Sequence, residues 1–292
     1  MMTLTNNILL ISPIGFTFNH ETATDNKFQS DVANTNTENE FKLFRNKLIE
    51  HGINVVTFTP PDELTPDAVF PNNWFSTFPD GQFFIYPMKA INRRQEKRKE
   101  FISEIGKKYH SRTDLSFFEN EMKYLEGTGS LVIDHDNKVA FAAISERTDL
   151  RVIEAWKFLV DYKCLTFDCN DKNGSRVYHT NVVLSLTTEH AIICLECIEE
   201  KDKIKISEEL IITGRKLIEI SIDQMNNFCG NCIALKNNLG QQLLIMSERA
   251  RINFTSDQIT QLEQYSIVVS SPLNEIEIIG GGSARCMIAE LF

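Results

Sequence analysis

Cys286 follows three glycines in the run Gly280–Met287 and is the best candidate nucleophile in this sequence. A cysteine there could be only a small buried hydrophobic residue. Three successive glycines cost backbone entropy, however, so the run predicts a close approach of the backbone to a ligand, or N–H groups donated to one. His179 and Glu126 would add a base and an orienting carboxylate, which completes the set of residue types needed for covalent catalysis.

His179 and Glu126 also have structural explanations when each is taken alone. A single histidine in a β-rich segment is often a hydrogen-bonded core residue, and Glu126 precedes Gly-Thr-Gly, which is typical of a turn. The functional hypothesis therefore depends on whether the fold brings the two residues to Cys286.

Two Cys-x-x-Cys pairs suggest an alternative chemistry, a four-thiolate zinc site. They are Cys194/Cys197 and Cys229/Cys232. The first pair lies in the strand-like run Ala191–Ile198, where residues three apart point to opposite faces. We therefore expect buried thiols and no metal.

The elements that must position these residues form a repeat with a period of about 50 to 60 residues. Five apolar, β-forming segments alternate with five segments of helical periodicity, and short polar turns indicate hairpins. The predicted strands are Ile53–Phe58, Leu115–Phe118, Cys164–Phe167, Leu217–Ile222 and Ser266–Ser270, and the helices begin near Phe41, Arg93, Asp149, Ser207 and Asp257.

The repeat predicts an α/β fold of five pseudo-equivalent ββαβ modules in a single domain, residues 1–292. The N-terminal strand Ile8–Ser12 would pair with the last unit and close a ring. The polar stretch Thr22–Glu40 is expected to be a long surface loop and a candidate lid.

Functional side chains should then lie at equivalent positions around the ring axis. Counting back eight residues from each hairpin turn gives Pro71, Glu126, His179 and Cys229. The fifth equivalent loop is the glycine run before Cys286. The nucleophile, the base and the carboxylate would thus converge from three different modules.

Composition limits the classes of partner. The net charge of −10 and the pI near 5.2 disfavour nucleic acid and anionic membranes. No stretch approaches the roughly 18 to 20 apolar residues that span a bilayer. Without an export signal at the N-terminus, the seven cysteines are expected to be thiols and the protein cytoplasmic. A small-molecule substrate is compatible with this composition. The sequence leaves open whether the protein forms a homodimer.

Six segments resemble the guanidino-group-modifying enzymes of the pentein superfamily, which include arginine deiminases, dimethylarginine hydrolases and amidinotransferases. The resemblance is greatest to the deiminase-related citrulline-utilisation hydrolases. The segments are Pro66–Trp74, Asn92–Glu96, Leu125–Gly129, Ser145–Thr148, His179–Asn181 and Gly280–Cys286.

The resemblance implies a five-bladed pentein α/β propeller without a metal or an organic cofactor. It implies that Cys286 is the nucleophile, that His179 is the general acid and base, and that Glu126 is the carboxylate beside them. It also implies that Arg147 holds the carboxylate of the substrate. The expected substrate-binding residues are Asp67, Asn72, Asn73, Asn181, Arg147 and Arg93.

Three departures bear on the substrate. Asn73 and Asn181 replace aspartates that deiminases carry, and Pro87 stands near the position of a further substrate-binding arginine. An amide can donate as well as accept, so the two asparagines favour a neutral ureido group, as in citrulline, over a guanidinium. Asp67 and Glu126 could still accept from a guanidinium. Arginine deiminase, dimethylarginine-type hydrolase, amidinotransferase and non-enzymatic binding protein are the alternatives.

Overall fold

The computed structural model describes residues 3–292 and contains five three-stranded sheets. The fifteen strands are β1 Asn7–Ile11, β2 Asn54–Phe58, β3 Phe75–Thr77, β4 Gln82–Ile85, β5 Ser111–Asp114, β6 Val132–Asp134, β7 Val139–Ala143, β8 Lys163–Phe167, β9 Leu184–Leu186, β10 His190–Ile193, β11 Lys216–Glu219, β12 Ile233–Lys236, β13 Gln242–Ser247, β14 Ile267–Ser271 and β15 Ala289–Glu290.

Every sheet has the same topology. In four sheets an antiparallel hairpin joins the first two strands, and in all five the third strand pairs in parallel with the middle one. The fifth sheet is completed by the N-terminus, because β1 pairs antiparallel with β15 and parallel with β2. The prediction that Ile8–Ser12 closes the ring is therefore confirmed, and so is the α/β propeller of ββαβ units.

Twelve α-helices and three short 3₁₀-helices connect the strands. The α-helices are α1 Thr37–Glu50, α2 Ile91–Arg94, α3 Lys99–Gly106, α4 Gly127–Ser130, α5 Leu150–Val160, α6 Thr180–Val183, α7 Glu200–Ile212, α8 Ile222–Asn226, α9 Glu248–Asn253, α10 Ser256–Glu263, α11 Asn274–Gly280 and α12 Ala284–Met287. The 3₁₀-helices are Pro71–Asn73, Ser116–Glu121 and Leu195–Cys197.

The longer helices α1, α3, α5, α7 and α10 are the crossovers between the parallel strands. Their apolar faces pack inward; in α5, for example, Ile153 and Trp156 are fully buried. Capping fixes several helix starts: the Asp149 side chain accepts from the Arg151 N–H, and α10 begins with a capping box at Thr255. No helix within residues 3–292 is long and apolar enough to cross a membrane.

The structure corrects one predicted strand. Leu115–Phe118 was expected to be β, but the strand of that unit is the polar Ser111–Asp114 (β5). It is an edge strand that pairs on one side only, so its hydrogen bonds to β4 decide its conformation rather than its apolar pattern. The apolar run continues into a 3₁₀-helix, where Leu115 and Phe118 are buried.

Buried ion pairs also connect the modules. Arg215 donates from Nε to the Thr187 carbonyl at 2.8 Å and pairs through Nη1 with Asp134. Both charged side chains are almost wholly inaccessible to solvent. Such pairs are costly to break from one side only, because the remaining charge is left buried.

Candidate active site

Loops from several modules converge on a small cavity. Six of the nine predicted site residues line it, namely Asp67, Asn73, Arg93, Arg147, His179 and Cys286. Glu126 and Asn181 contact residues that line the cavity. Asn72 is buried next to Asn73, and neither atom of the Asn72 side-chain amide has a hydrogen-bond partner within residues 3–292. The ring therefore brings the predicted nucleophile, base and carboxylate together.

His179 and Glu126 form a buried pair, with 2.9 Å between Nε2 and Oε2. Burial opposes ionisation of Glu126, but Arg147, the His179 hydrogen bond and Arg93 outweigh it and hold its pKa below the ordinary value. Burial lowers the pKa of His179 despite the nearby carboxylate. Because an ionised carboxylate only accepts hydrogen bonds, Nε2 carries the proton of the neutral ring. Nδ1 is then free to act as a base.

Cys286 lies in α12, directly after the glycine run, and its backbone N–H donates to the Ser283 carbonyl at 2.9 Å. The side chain is 3 % exposed. Burial raises the pKa of the thiol, although the Ser283 backbone and the Asn231 amide oppose the shift. The cavity is therefore lined by a neutral thiol and a neutral imidazole.

Asn231 is a site residue that the sequence analysis missed. Its Nδ2 donates to the Cys286 sulfur at 3.2 Å and to the Asn181 carbonyl at 2.9 Å, while its Oδ1 accepts from the Arg285 N–H at 3.2 Å. Counting from the hairpin turn had pointed to Cys229 instead, whose thiol donates to the Ala250 carbonyl at 3.4 Å.

A different reference point would have found it. Asn231 lies two residues before the strand that follows it, β12, as Asn73 lies two residues before β3. These two asparagines share that spacing, whereas Glu126, His179 and Cys286 lie six, five and three residues before the strands that follow them.

We predict that Asn231→Ala slows alkylation of Cys286 at neutral pH and lowers kcat/KM about 10- to 100-fold, since a hydrogen bond to a charged group contributes about 1.5–3 kcal/mol. Losing the N–H donor destabilises the thiolate and raises its pKa further. Alkylation rates measured against pH check this. Asn227→Ala is the control, because Asn227 lies in the same loop but contacts Arg249. Equal rates for the two variants would contradict the role of Asn231.

Arg147 contacts two carboxylates on opposite sides. Its Nη1 lies 3.6 Å from Glu126 Oε2, and its Nε and Nη2 pair with Asp25. Lys89 also reaches Asp25, with 2.8 Å between Nζ and Oδ2. Arg147, which was predicted to hold the carboxylate of the substrate, therefore holds a carboxylate of the protein itself.

The segment that carries Asp25 covers the cavity. Asn19 and Thr22 donate to Asp67 Oδ2 at 2.8 and 2.9 Å, and the Ser30 N–H donates to the Ile278 carbonyl at 2.7 Å. The predicted loop Thr22–Glu40 is shorter than expected, because α1 begins at Thr37. A lid function for this segment stays a prediction.

Two glycines of the run before Cys286 are needed for close packing. Gly281 has a φ of 62°, and a Cβ there would lie 2.5 Å from Asn26 Nδ2. At Gly280 a Cβ would lie 2.6 Å from the Phe70 ring. The predicted close approach to the backbone is thus made by protein side chains that line the same cavity.

The cysteine pairs lie in two places. Strand β10 ends at Ile193, so the expected strand-like run to Ile198 is wrong: Cys197 lies in a 3₁₀-helix, 3.0 Å from the Cys169 sulfur. Cys232 donates to the Cys229 carbonyl at 3.3 Å. Within the described residues, no three His, Cys, Asp or Glu side chains form a group that could hold a metal ion.

Comparison with known proteins shows the family of the chain and solved structures with the same fold. The family model for eukaryotic N,N-dimethylarginine dimethylhydrolase matches residues 12–292. A search of curated proteins found no match. Among solved structures, the chain superposes on ArgZ, an arginine dihydrolase from the ornithine-ammonia cycle in cyanobacteria, with a TM-score of 0.77 at 16 % identity. It covers 97 % of this chain but 40 % of ArgZ.

Two further structures have the same fold. AgrE, in a ternary complex with ornithine and NAD⁺, gives a TM-score of 0.75 at 19 % identity over 98 % of this chain and 39 % of its own. A dimethylarginine dimethylaminohydrolase in an adduct with S-methyl-L-thiocitrulline gives 0.70 at 17 % identity, covering 98 % and 99 % of the two chains. This chain thus spans less than half of ArgZ and AgrE. On the family match, it belongs to the eukaryotic N,N-dimethylarginine dimethylhydrolase family, within the pentein superfamily of guanidino-modifying hydrolases.

Proposed function

We propose that the protein hydrolyses the ureido carbon of citrulline through a covalent intermediate on Cys286. The observation that carries the choice of citrulline is the pair of unpartnered polar atoms at the cavity wall. Within residues 3–292, the Asn73 Nδ2 donor has no acceptor, and the Asp67 Oδ1 acceptor has no donor. A ureido group offers a carbonyl oxygen to the first and an N–H to the second.

In this mechanism His179 Nδ1 takes the proton of the Cys286 thiol, and the resulting thiolate attacks the ureido carbon. His179 then gives that proton to the terminal nitrogen, which leaves as ammonia when its bond to the carbon breaks. His179 Nδ1 then takes a proton from water, which attacks the thio-linked carbon and releases the cysteine. The carbamate that remains loses carbon dioxide, so the products are ornithine, ammonia and carbon dioxide. Glu126 holds the imidazole in the required tautomer, as the 2.9 Å contact supports.

Two amides would stabilise the attacking sulfur. Asn231 Nδ2 lies 3.2 Å and Asn181 Nδ2 lies 3.6 Å from it. Arg147 would bind the substrate carboxylate once Asp25 has moved away. The resulting enzyme needs no metal or organic cofactor and acts as one catalytic domain in the cytoplasm, alone or as a homodimer.

Arginine is the second candidate substrate, because the buried Cys286 thiol has a raised pKa. A bound guanidinium would lower that pKa by its charge, whereas a neutral ureido group would not. Glu126 and Asp67 could accept from the guanidinium. The structural relatives named as arginine dihydrolase and dimethylarginine dimethylaminohydrolase agree with this second reading.

We expect the protein to release one ornithine and one ammonia per citrulline, and a product assay over citrulline, arginine and dimethylarginine tests this. Citrulline accumulating from arginine would identify a deiminase, and dimethylamine release would identify a dimethylarginine hydrolase. Turnover that requires an added amine acceptor would identify an amidinotransferase. Strong arginine turnover with none on citrulline would disprove the argument from Asn73.

A non-enzymatic binding protein is the last alternative. In that case, neither citrulline nor arginine would protect Cys286 from a thiol-alkylating reagent. The acidic net charge of −10 argues against a nucleic-acid partner for such a protein.

A further inference from the structure

Arg93, which was expected to bind substrate, has protein acceptors for most of its donors. Its Nε and Nη2 form a two-point contact with Glu96 at 2.7 and 3.0 Å, and Nη2 also donates to the Phe70 carbonyl at 3.1 Å. Both side chains are about 2 % exposed. Burial raises the pKa of Glu96 to about 7 although Arg93 opposes the shift. This ion pair therefore holds the guanidinium in one place.

Another contact of Arg93 fixes the amide of Asn73. Arg93 Nη1 donates to Asn73 Oδ1 at 2.7 Å. A guanidinium has five donors and no acceptor, so the opposite amide orientation would set two N–H groups against each other. Asn73 can therefore present only its NH₂ group to the other side.

That NH₂ group lies next to the catalytic histidine. A Cβ at Gly129 would lie 2.4 Å from Asn73 Nδ2 and 2.8 Å from His179 Nδ1, so both atoms border one point beside the Gly129 backbone. Asn73 Nδ2 is buried and has no acceptor within residues 3–292. A buried amide donor without a partner is costly in free energy, and a substrate acceptor atom would relieve that cost.

We propose that Arg93 is a positioning residue that sets substrate specificity by fixing the amide of Asn73 with its NH₂ group towards the scissile carbon. The site therefore selects a substrate that carries an acceptor on that carbon, as a ureido oxygen does, over one that carries only N–H groups. This inference rests on the proposed function and identifies the contact that gives the enzyme its substrate specificity. In this role Arg93 acts through Asn73.

The test is the ratio of kcat/KM for citrulline to that for arginine. The first variant combines Arg93→Met with Glu96→Gln, which removes both buried charges together and lets the Asn73 amide turn. We expect the ratio to fall at least about tenfold, because one hydrogen bond to a reacting group is lost and the freed carbonyl can accept from a guanidinium. Asn73→Asp should move the ratio in the same direction and further.

The combined effects should be non-additive. Once Arg93 no longer holds the amide, replacing Asn73 with Asp should change the ratio much less than it does in the wild-type background. The matched control is Arg215→Met with Asp134→Asn, which removes another buried ion pair outside this cavity. That control should lower Tm and leave the ratio unchanged.

If the Arg93→Met, Glu96→Gln protein does not fold, Arg93→Lys takes its place, because lysine keeps a cation for Glu96 but lacks the planar fork that also reaches Asn73. An unchanged ratio in the folded Arg93 variants would overturn the positioning role while leaving citrulline hydrolysis intact. Wild-type protein that acts on neither compound would instead overturn the proposed function, and the specificity device with it.

Discussion

A Cys286→Ala variant is expected to lose at least about 10⁴-fold in kcat on the substrate of the wild-type protein, because Cys286 is the one thiol within residues 3–292 that lines the cavity. Asn231 and Asn181, the side chains nearest its sulfur, offer only amides. Steady-state kinetics measure the loss, and mass spectrometry of the wild-type protein quenched during turnover should detect the adduct on Cys286.

Cys232→Ala is the matched control. Cys232 is as deeply buried, at 1 % exposure, but its thiol donates to the Cys229 carbonyl instead of facing the cavity. This variant should lose stability by cavity formation and keep its activity. Full turnover in Cys286→Ala, or an adduct on another cysteine, would refute the proposed mechanism.

The pH dependence of Cys286 alkylation follows from the same geometry. Burial raises the pKa of the thiol, and it also lowers the pKa of His179. His179 is therefore a neutral imidazole and supplies no positive charge that would lower the pKa of the thiol. Since only the thiolate reacts, the rate should still be rising at pH values above the ordinary thiol pKa of about 8.5. A plateau near neutral pH would show instead that a thiolate–imidazolium pair exists in the free protein.

A Glu126→Gln variant is expected to lose about 10⁴-fold in kcat, by analogy with the carboxylate-to-amide change in serine proteases. The carboxylate accepts the His179 Nε2 proton at 2.9 Å and so leaves Nδ1 as the base. A glutamine can turn its NH₂ group to the ring and hold the opposite tautomer, in which Nδ1 carries the proton. Kinetics with saturating substrate measure this effect on kcat apart from KM.

The same variant has a signature in stability. The folded-state pKa of Glu126 lies below its unfolded value of about 4.3, so the carboxylate stabilises the fold above that pH and loses its contribution as pH falls through the folded pKa. The difference in Tm between wild type and Glu126→Gln should therefore be largest above pH 5 and shrink on acidification.

Glu119→Gln is the control for both measurements. Glu119 is a partly buried carboxylate that pairs with Lys97 and Arg94, away from His179. Its replacement should leave kcat and its pH dependence unchanged. An equal loss of kcat in both variants would mean that Glu126 acts through general stability and not through the tautomer of His179.

The sequence by itself was sufficient to predict the repeat and to select the candidate residues with the clearest chemistry. Strand alternation, turn residues and helical periodicity are local properties, so the spacing of the hairpins predicted five equivalent units. Once the units are equivalent, their loops must face one another across the ring. Cys286, His179 and Glu126 could thus be grouped although 53 and 107 residues separate His179 from the other two.

Only the tertiary structure decided how the polar groups pair. The Asn231 contact with Cys286, the capture of Arg147 by Asp25 and the fixed amide of Asn73 join residues that are 55, 122 and 20 positions apart. Sequence patterns carry no information on which of two buried amide atoms meets a donor. That choice, like the shifted pKa values of Cys286 and Glu126, depends on burial and on neighbours that the folded chain alone brings within hydrogen-bond distance.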